Sequence, residues 1–300
     1  MDSELRAASI KAADSTSYAK SAEEFARLTE RYSDAVADRM LDLSEMKPVA
    51  KVLDIGTGSG LVAIKAAQFG RDVNVTGIDQ SVEMLIAARA NADACNRSDQ
   101  VAFKQMDAEN IDLADNVVDV VTSLYVLRHL PSPAKAVAEA YRVLKNGGRA
   151  VIAVGAPPSL FSIKGIGAAI DKIQDRILES AGRRAVSPVA LRKFLDRSKA
   201  DPVASHAAHH SAGDVSGMCR AAGFRNVRKH WFGQSFTLTP DEFWEVQAVF
   251  DSEARSRLEP FDDQALSVLR GDFLVECRTI AQLGGKLVYR TGAEIVVAVR

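Results

Sequence analysis

The chain is poor in cysteine. Its three cysteines, Cys95, Cys219 and Cys277, lie far apart and form no CxxC pair. That spacing argues against both a disulfide framework and a zinc site, and ordinary buried thiols in a reducing compartment are expected. Long apolar runs are missing too. No stretch approaches the roughly 20 apolar residues that span a bilayer. The opening residues, Met1-Asp2-Ser3-Glu4-Leu5-Arg6, have no signal-peptide core. A cytoplasmic protein with no integral membrane segment is expected. Nor does one sign of charge dominate: 38 basic residues stand against 39 acidic, a net charge of -1. This removes the electrostatic ground for expecting nucleic acid as a partner. Neither a repeat nor a low-complexity linker interrupts the sequence.

Apolar residues make up 47% of the chain, enough for one large domain or a domain with a smaller appendage. Residues 1–19 are rich in Ala and Ser and read as a loose arm or short helix. Over 20–44, Phe25, Leu28, Tyr32, Ala35, Met40 and Leu43 recur at helical spacing until Pro48 breaks the pattern. Residues 1–49 are thus expected to form an N-terminal helical arm or lid.

From residue 50 the rhythm changes. Val52 to Ile55 is a short apolar run ending in glycines, and a helical pattern follows from Leu61 to Phe69, closed by Gly70. Val73 to Ile78 is the next strand candidate, and Ser81 can cap a helix running to Ala94. Val101 to Phe103 and Val117 to Leu124 are further strands. Pro133 suits a first helical turn, in a helix ending near Lys145 before Gly147-Gly148, and Arg149 to Val154 makes a fifth strand. Strands alternating with helices imply parallel strands covered on both faces. The core is expected at 50–156. Residues 157–210 break the alternation and read as a helical cap insertion, too long for a plain connector. Residues 211–300 are expected to complete the sheet. They carry a helix near 212–222, a strand from Val227 to Phe232, a helical extension over 240–283 and a last strand from Ala293 to Val299. Thr239-Pro240-Asp241-Glu242 has the pattern that starts that extension.

The most informative segment is Val52-Leu53-Asp54-Ile55-Gly56-Thr57-Gly58-Ser59-Gly60. It sets three glycines between a strand and a helix, where a ligand can approach the backbone closely. A dinucleotide site would want glycine at position 61, which is Leu61. The acidic Asp54 also suits a cationic ligand better than a pyrophosphate. The second strand ends in Asp79, where a carboxylate can accept hydrogen bonds from ribose hydroxyls. The third is followed by Met106-Asp107-Ala108-Glu109, where a carboxylate can accept from an adenine amino group. Each acid alone also reads as a helix cap or a surface carboxylate. Three at successive strand ends point to one nucleoside site.

These residues resemble the class I methyltransferases dependent on S-adenosylmethionine, in particular the branch of the ubiquinone/menaquinone C-methyltransferases. The likeness runs through Val52–Gly60, Gly77–Ser81, Met106–Glu109, Asp119–Ser123, Arg128–Pro131, Arg142–Gly148 and Ala222–Phe224. The resemblance implies an α/β fold: a Rossmann-like doubly wound sheet of about seven strands, the last antiparallel. It implies S-adenosylmethionine as cofactor; no metal is expected. Asp54, Gly56, Thr57, Gly58 and Gly60 would hold its amino-acid end, and Asp79 its ribose. Gln80 would flank the adenine, Asp107 and Ala108 would bind it, and Ser123 would lie under the cofactor. Arg128-His129 stands where many relatives carry His-His.

For the reaction itself, His129 is the candidate base, since imidazole can take a phenol or enol proton near neutrality. Packing or capping the loop is the plainer role. Tyr125 is a candidate to line the methyl-transfer site or simply the core. Arg128 can bind an acidic acceptor or form a surface ion pair. His206, His209 and His210 can gather at a metal, contact substrate or decorate a polar loop. Trp231, Trp244 and Phe243 can line an apolar pocket or fill a core. The expected substrate is a small hydrophobic or aromatic molecule, quinone-like or a secondary metabolite, methylated at O or C. The rival is an enzyme of the same fold that binds the cofactor without methylating, such as a cyclase. An NAD-dependent oxidoreductase is disfavoured by Leu61, and a pure interaction module by the three aligned acids. A homodimer is left open.

Overall fold

The computed structural model describes residues 22–156, 191–197 and 212–300. The arm expected at 1–19, His206, His209, His210 and all of the expected cap except 191–197 lie outside the described residues. The chain divides into two compact units. The first is Met1–Ala156, His209–Phe232 and Ala293–Arg300; the second is Pro157–Ala208 and Gly233–Gly292.

The first unit is built on a seven-stranded sheet, of whose sixth and seventh strands it holds residues 225–232 and 293–299. Its strands are β1 (Val49–Ile55), β2 (Asp72–Asp79), β3 (Val101–Gln105), β4 (Val118–Leu124), β5 (Leu144–Gly155), β6 (Arg225–Thr237) and β7 (Val288–Val299). They lie in the order β3-β2-β1-β4-β5-β7-β6. The pairs β1–β2, β1–β4, β2–β3 and β4–β5 are parallel, and β7 runs antiparallel to β5. The helices are α1 (Ala22–Ser44), α2 (Leu61–Ala67), α3 (Val82–Ala94), α4 (Pro133–Val143) and α6 (Val215–Ala222), with α5 (Leu191–Arg197) in the second unit.

Strand periodicity explains why both faces are covered. Successive side chains of a strand point to opposite faces. On β1, Ala50 and Val52 pack with Val62, Ala63 and Leu85 of α2 and α3, whereas Leu53 and Ile55 join Ala136, Val137 and Ala140 of α4. β5 and β7 divide likewise. Val151 and Ile295 meet Val36 and Met40 of α1, while Ile152 and Val296 meet the α4 layer. Each fully buried Leu or Ile contributes about 1.5–3 kcal/mol, so the two apolar layers hold the sheet. The N-terminal helix α1 is therefore part of this core: Leu28, Tyr32, Val36, Met40 and Leu41 are buried.

Local signals set several boundaries. Ser81 caps α3, its hydroxyl accepting from Met84 N at 3.2 Å. Strand β5 starts earlier than the sequence suggests. Gly147-Gly148 reads as a helix stop, but the pair sits inside the strand, where the register against β4 shifts between Val118 and Val120. Gly147 takes φ 79 there, which suits a bulge. Strand β6 runs on to Thr237 through Gly233-Gln234-Ser235, a stretch with no apolar signal.

In the second unit, the expected extension at 240–283 is three helices: α7 (Pro240–Phe250), α8 (Ser252–Leu258) and α9 (Asp263–Gln282). Asp251 and Asp262 account for the breaks, each capping a new N-terminus by accepting from Ala254 N and Ala265 N respectively. Thr239 and Glu242 form the full capping box at the start of α7. Phe194, Phe243 and Trp244 surround Phe273, so Phe243 and Trp244 are core residues of this unit. Among the described residues no helix is long and apolar enough to cross a membrane, and no cluster of three metal-ligand side chains occurs.

Candidate active site

The C-terminal ends of β1, β2 and β4 bring the site together. The loop after β1 is tied to β2 by two bonds: Thr57 N donates to Ile78 O at 2.9 Å, and Gly58 N to Asp79 Oδ2 at 2.9 Å. The second Asp79 oxygen accepts from Ser81 N at 3.0 Å. Asp79 thus organises both the glycine loop and the start of α3. Burial raises its carboxyl above the ordinary value, against the pull of the Ser81 and Gly58 amides and the charge of His129.

The glycines serve different ends. A Cβ on Gly56 would lie 2.2 Å from Val126 Cγ2, so Gly56 makes room for protein. A Cβ on Gly58 would meet nothing within 4 Å, although the residue has φ 53. Gly58 borders open space, as a ligand cradle requires.

Among the described residues, Asp54 is the most deeply placed charge, at 2% exposure. Its Oδ1 accepts from Thr122 Oγ1 at 2.7 Å, while Oδ2 has no partner. The Thr57 hydroxyl lies beside the same carboxyl but in no hydrogen bond of sound geometry. Burial pushes Asp54 up to about 6, opposed by the Thr122 hydroxyl and aided by the nearby charge of Asp79. Buried polar atoms without partners are rare and destabilising, so this pair of orphans marks a place where a polar ligand would be satisfied. A cationic ammonium group fits both the charge and the orphaned oxygen.

The turn after β3 adjoins this centre, since Met106 N donates to Asp79 O at 3.1 Å. Asp107 Oδ1 accepts from Glu109 N at 2.9 Å, Ala108 is buried, and Glu109 Oε1 holds Ser132 N at 2.7 Å. Gln80 is half-buried, and its carbonyl accepts from Gln105 Nε2 at 3.0 Å. His129 and Arg128 sit half-buried on a short 3-10 turn, Leu127–His129, where His129 influences Asp79 electrostatically.

Tyr125 and Ser123 carry the structural surprises. Tyr125 has φ 61, an uncommon value for an aromatic residue. Burial pushes its hydroxyl up to about 12, so it stays protonated at neutral pH and cannot serve as the base. Ser123 points away from Asp54. Strand alternation turns it to the α4 side, among Ile55, Val121, Leu127 and Ala136, with its hydroxyl unpartnered. Thr122, which the sequence reading passed over, faces Asp54 instead. Its position in register with Asp54 was the missing signal.

Residues 53–152 match the family model described as a methyltransferase domain. The chain is 32% identical over 115 residues to a ubiquinone/menaquinone biosynthesis C-methyltransferase, UbiE, of Cereibacter sphaeroides, covering 38% of this chain and 46% of that protein. It is 35% identical over 102 residues to a phosphatidylethanolamine N-methyltransferase of the same organism, covering 34% and 49%. Against the 27-O-demethylrifamycin SV methyltransferase of Amycolatopsis mediterranei it is 31% identical over 165 residues, covering 55% and 58%. It thus spans about half the length of these relatives. Among solved structures, the YcgJ protein of Bacillus subtilis superposes with a TM-score of 0.53 at 20% identity, covering 88% of this chain and 97% of that one. A Bacillus halodurans C-125 protein does so at 0.54 and 23%, covering 88% and 98%. Residues 53–152 therefore carry a methyltransferase domain, and the fold is that of the class I methyltransferases.

Proposed function

Proceeding from the methyltransferase domain at residues 53–152, we propose that this chain transfers a methyl group from S-adenosylmethionine to O or C of a small apolar acceptor. The observation that carries the reading is Asp54: buried, anchored on one oxygen and unpartnered on the other, beside a glycine loop that opens at Gly58. Relatives named for ubiquinone/menaquinone biosynthesis and for 27-O-demethylrifamycin SV favour an aromatic or quinone-like acceptor.

S-adenosylmethionine supplies a methyl group already activated on a sulfonium. The protein's remaining work is alignment, exclusion of water and, where the acceptor is a phenol or enol, removal of a proton. Asp54 Oδ2 would accept from the ammonium group of the amino-acid end. The Asp79 oxygens, each already holding one amide, keep a further lone pair for ribose hydroxyls. Asp107 and Ala108 would meet the adenine, with Gln80 at its flank. His129 would accept the acceptor's proton, and Tyr125 would line the transfer site as a neutral ring. Arg128 would balance an acidic acceptor.

Incubation with S-adenosylmethionine and a panel of quinols and phenols, followed by mass spectrometry, tests this. S-adenosylhomocysteine should form in step with a product heavier by one methylene. Conversion of an acceptor without S-adenosylhomocysteine would return the non-methylating alternative. Tight binding of NADH without binding of S-adenosylhomocysteine would overturn the cofactor assignment.

A further inference from the structure

Thr122 lies on β4 in register with Asp54 on β1. Paired residues of neighbouring strands project to the same face, which sets the hydroxyl against the carboxyl. The contact is a 2.7 Å hydrogen bond between two buried side chains, and it uses only one carboxylate oxygen. The other, Oδ2, is without a partner. One oxygen is anchored, and the other is buried with its hydrogen-bonding capacity unused.

We infer that Thr122 is a positioning residue for the cofactor: its hydroxyl, bonded to Oδ1, holds the Asp54 carboxylate as an anion whose Oδ2 can receive an ammonium group. The inference rests on the S-adenosylmethionine reading above and names a residue that reading did not need.

The physical reason is the balance at Asp54. Burial without a charge partner favours the protonated acid. Of the groups opposing that, the Thr122 hydroxyl has the largest influence, followed by Thr57 and the Ala63 amide. The ionisable surroundings do not substitute for it. Asp79 on β2 adds negative charge, and His129 after β4 bears on Asp79. Lys65 on α2 is paired with Asp34 and Asp38 of α1. Without the hydroxyl, Asp54 would hold its proton to a higher pH, and a protonated carboxyl loses its attraction for a cation.

The test is calorimetric binding of S-adenosylhomocysteine to the full chain across pH 6 to 9, for wild type, Thr122→Val and Thr122→Ser. The ratio of variant to wild-type Kd cancels the ligand's own titration. For Thr122→Val the ratio should be about tenfold at pH 7, as for loss of a hydrogen bond to a charged group, and should fall towards one by pH 9. Thr122→Ser should stay within about twofold throughout. A ratio near one at every pH, a weakening that does not vary with pH, or an equal defect in Thr122→Ser would overturn the inference while leaving the cofactor reading intact. Failure of wild type to bind would overturn both. Should Thr122→Val unfold by circular dichroism, Thr122→Ala takes its place with the same expected profile.

Discussion

Asp54→Asn should weaken cofactor binding and, at neutral pH, relieve the empty protein of a burden. The magnitude follows from the carboxyl's displacement from 3.8 to about 6. Between those values the folded chain binds more protons than the unfolded chain, so stability falls as pH rises through that window and stays low above it. At about 1.4 kcal/mol per pH unit, the full displacement corresponds to about 3 kcal/mol. Roughly 2 kcal/mol of that should develop between pH 4 and pH 7. The asparagine has its own cost, since its amide nitrogen replaces an unpartnered oxygen and a buried unsatisfied donor costs about 1–3 kcal/mol. That cost is the same at every pH, whereas the carboxyl's contribution is not. The informative quantity is therefore the difference in unfolding free energy between variant and wild type as a function of pH. Urea titrations should show it moving by about 2 kcal/mol in favour of Asn between pH 4 and pH 7. In melting temperature that is about 3 °C for a chain of 300 residues. A difference that stays flat across the window would mean that Asp54 ionises as an exposed carboxyl does, and the reasoning about the site would fail with it.

The glycine loop gives a contrast. Gly58→Val should abolish S-adenosylhomocysteine binding by calorimetry yet cost only about 1–2 kcal/mol of stability, because its side chain enters open space at the price of backbone strain alone. Gly56→Ala should cost more, about 3 kcal/mol in denaturant titration, because its Cβ meets Val126 as well. His129→Ala should lower turnover by about a hundredfold on a phenolic acceptor while leaving S-adenosylhomocysteine affinity unchanged; an unaltered rate would remove it as the base. Tyr125→Phe should leave the shape of the pH–rate profile intact, since a hydroxyl held at about 12 does not titrate in the working range. A basic limb that disappears in this variant would contradict that.

The parts of the fold that were legible are those written in adjacent residues. Apolar runs closed by Gly56 or Asp79 gave strands, Ser81 gave a helix start, and Thr239 with Glu242 gave another. The end of β6 was misread for want of any apolar signal, and other boundaries because a local signal has two structural meanings. Gly147-Gly148 serves equally to stop a helix and to bulge a strand, and only the pairing of Leu144 with Val118 decides between them. The stretch 240–283 reads as one helical extension, and the breaks in it come from Asp251 and Asp262, each of which caps a new helix. In the site, the positions of the acids were legible because each lies at or just beyond the end of its own strand. Thr122 was not, because its role depends on a partner 68 residues away and on which of two neighbouring hydroxyls faces it.

The end of β4 shows how much of this site is settled by such distant pairings. Thr122 reaches Asp54, Ser123 turns to the opposite layer, and two residues later Tyr125 leaves the strand at φ 61. An extended residue at 125 would carry the chain onward along the strand. The left-handed one bends it, while its amide still donates to Ala153 O at 2.8 Å. Val126 then packs against Gly56, and the 3-10 turn that follows brings His129 within electrostatic reach of Asp79. The strain costs about 1–2 kcal/mol, of the order that burying one aliphatic side chain contributes. A backbone bent at Tyr125 therefore costs the fold little, and it sets the candidate base and the cofactor loop against each other through Val126 and Gly56.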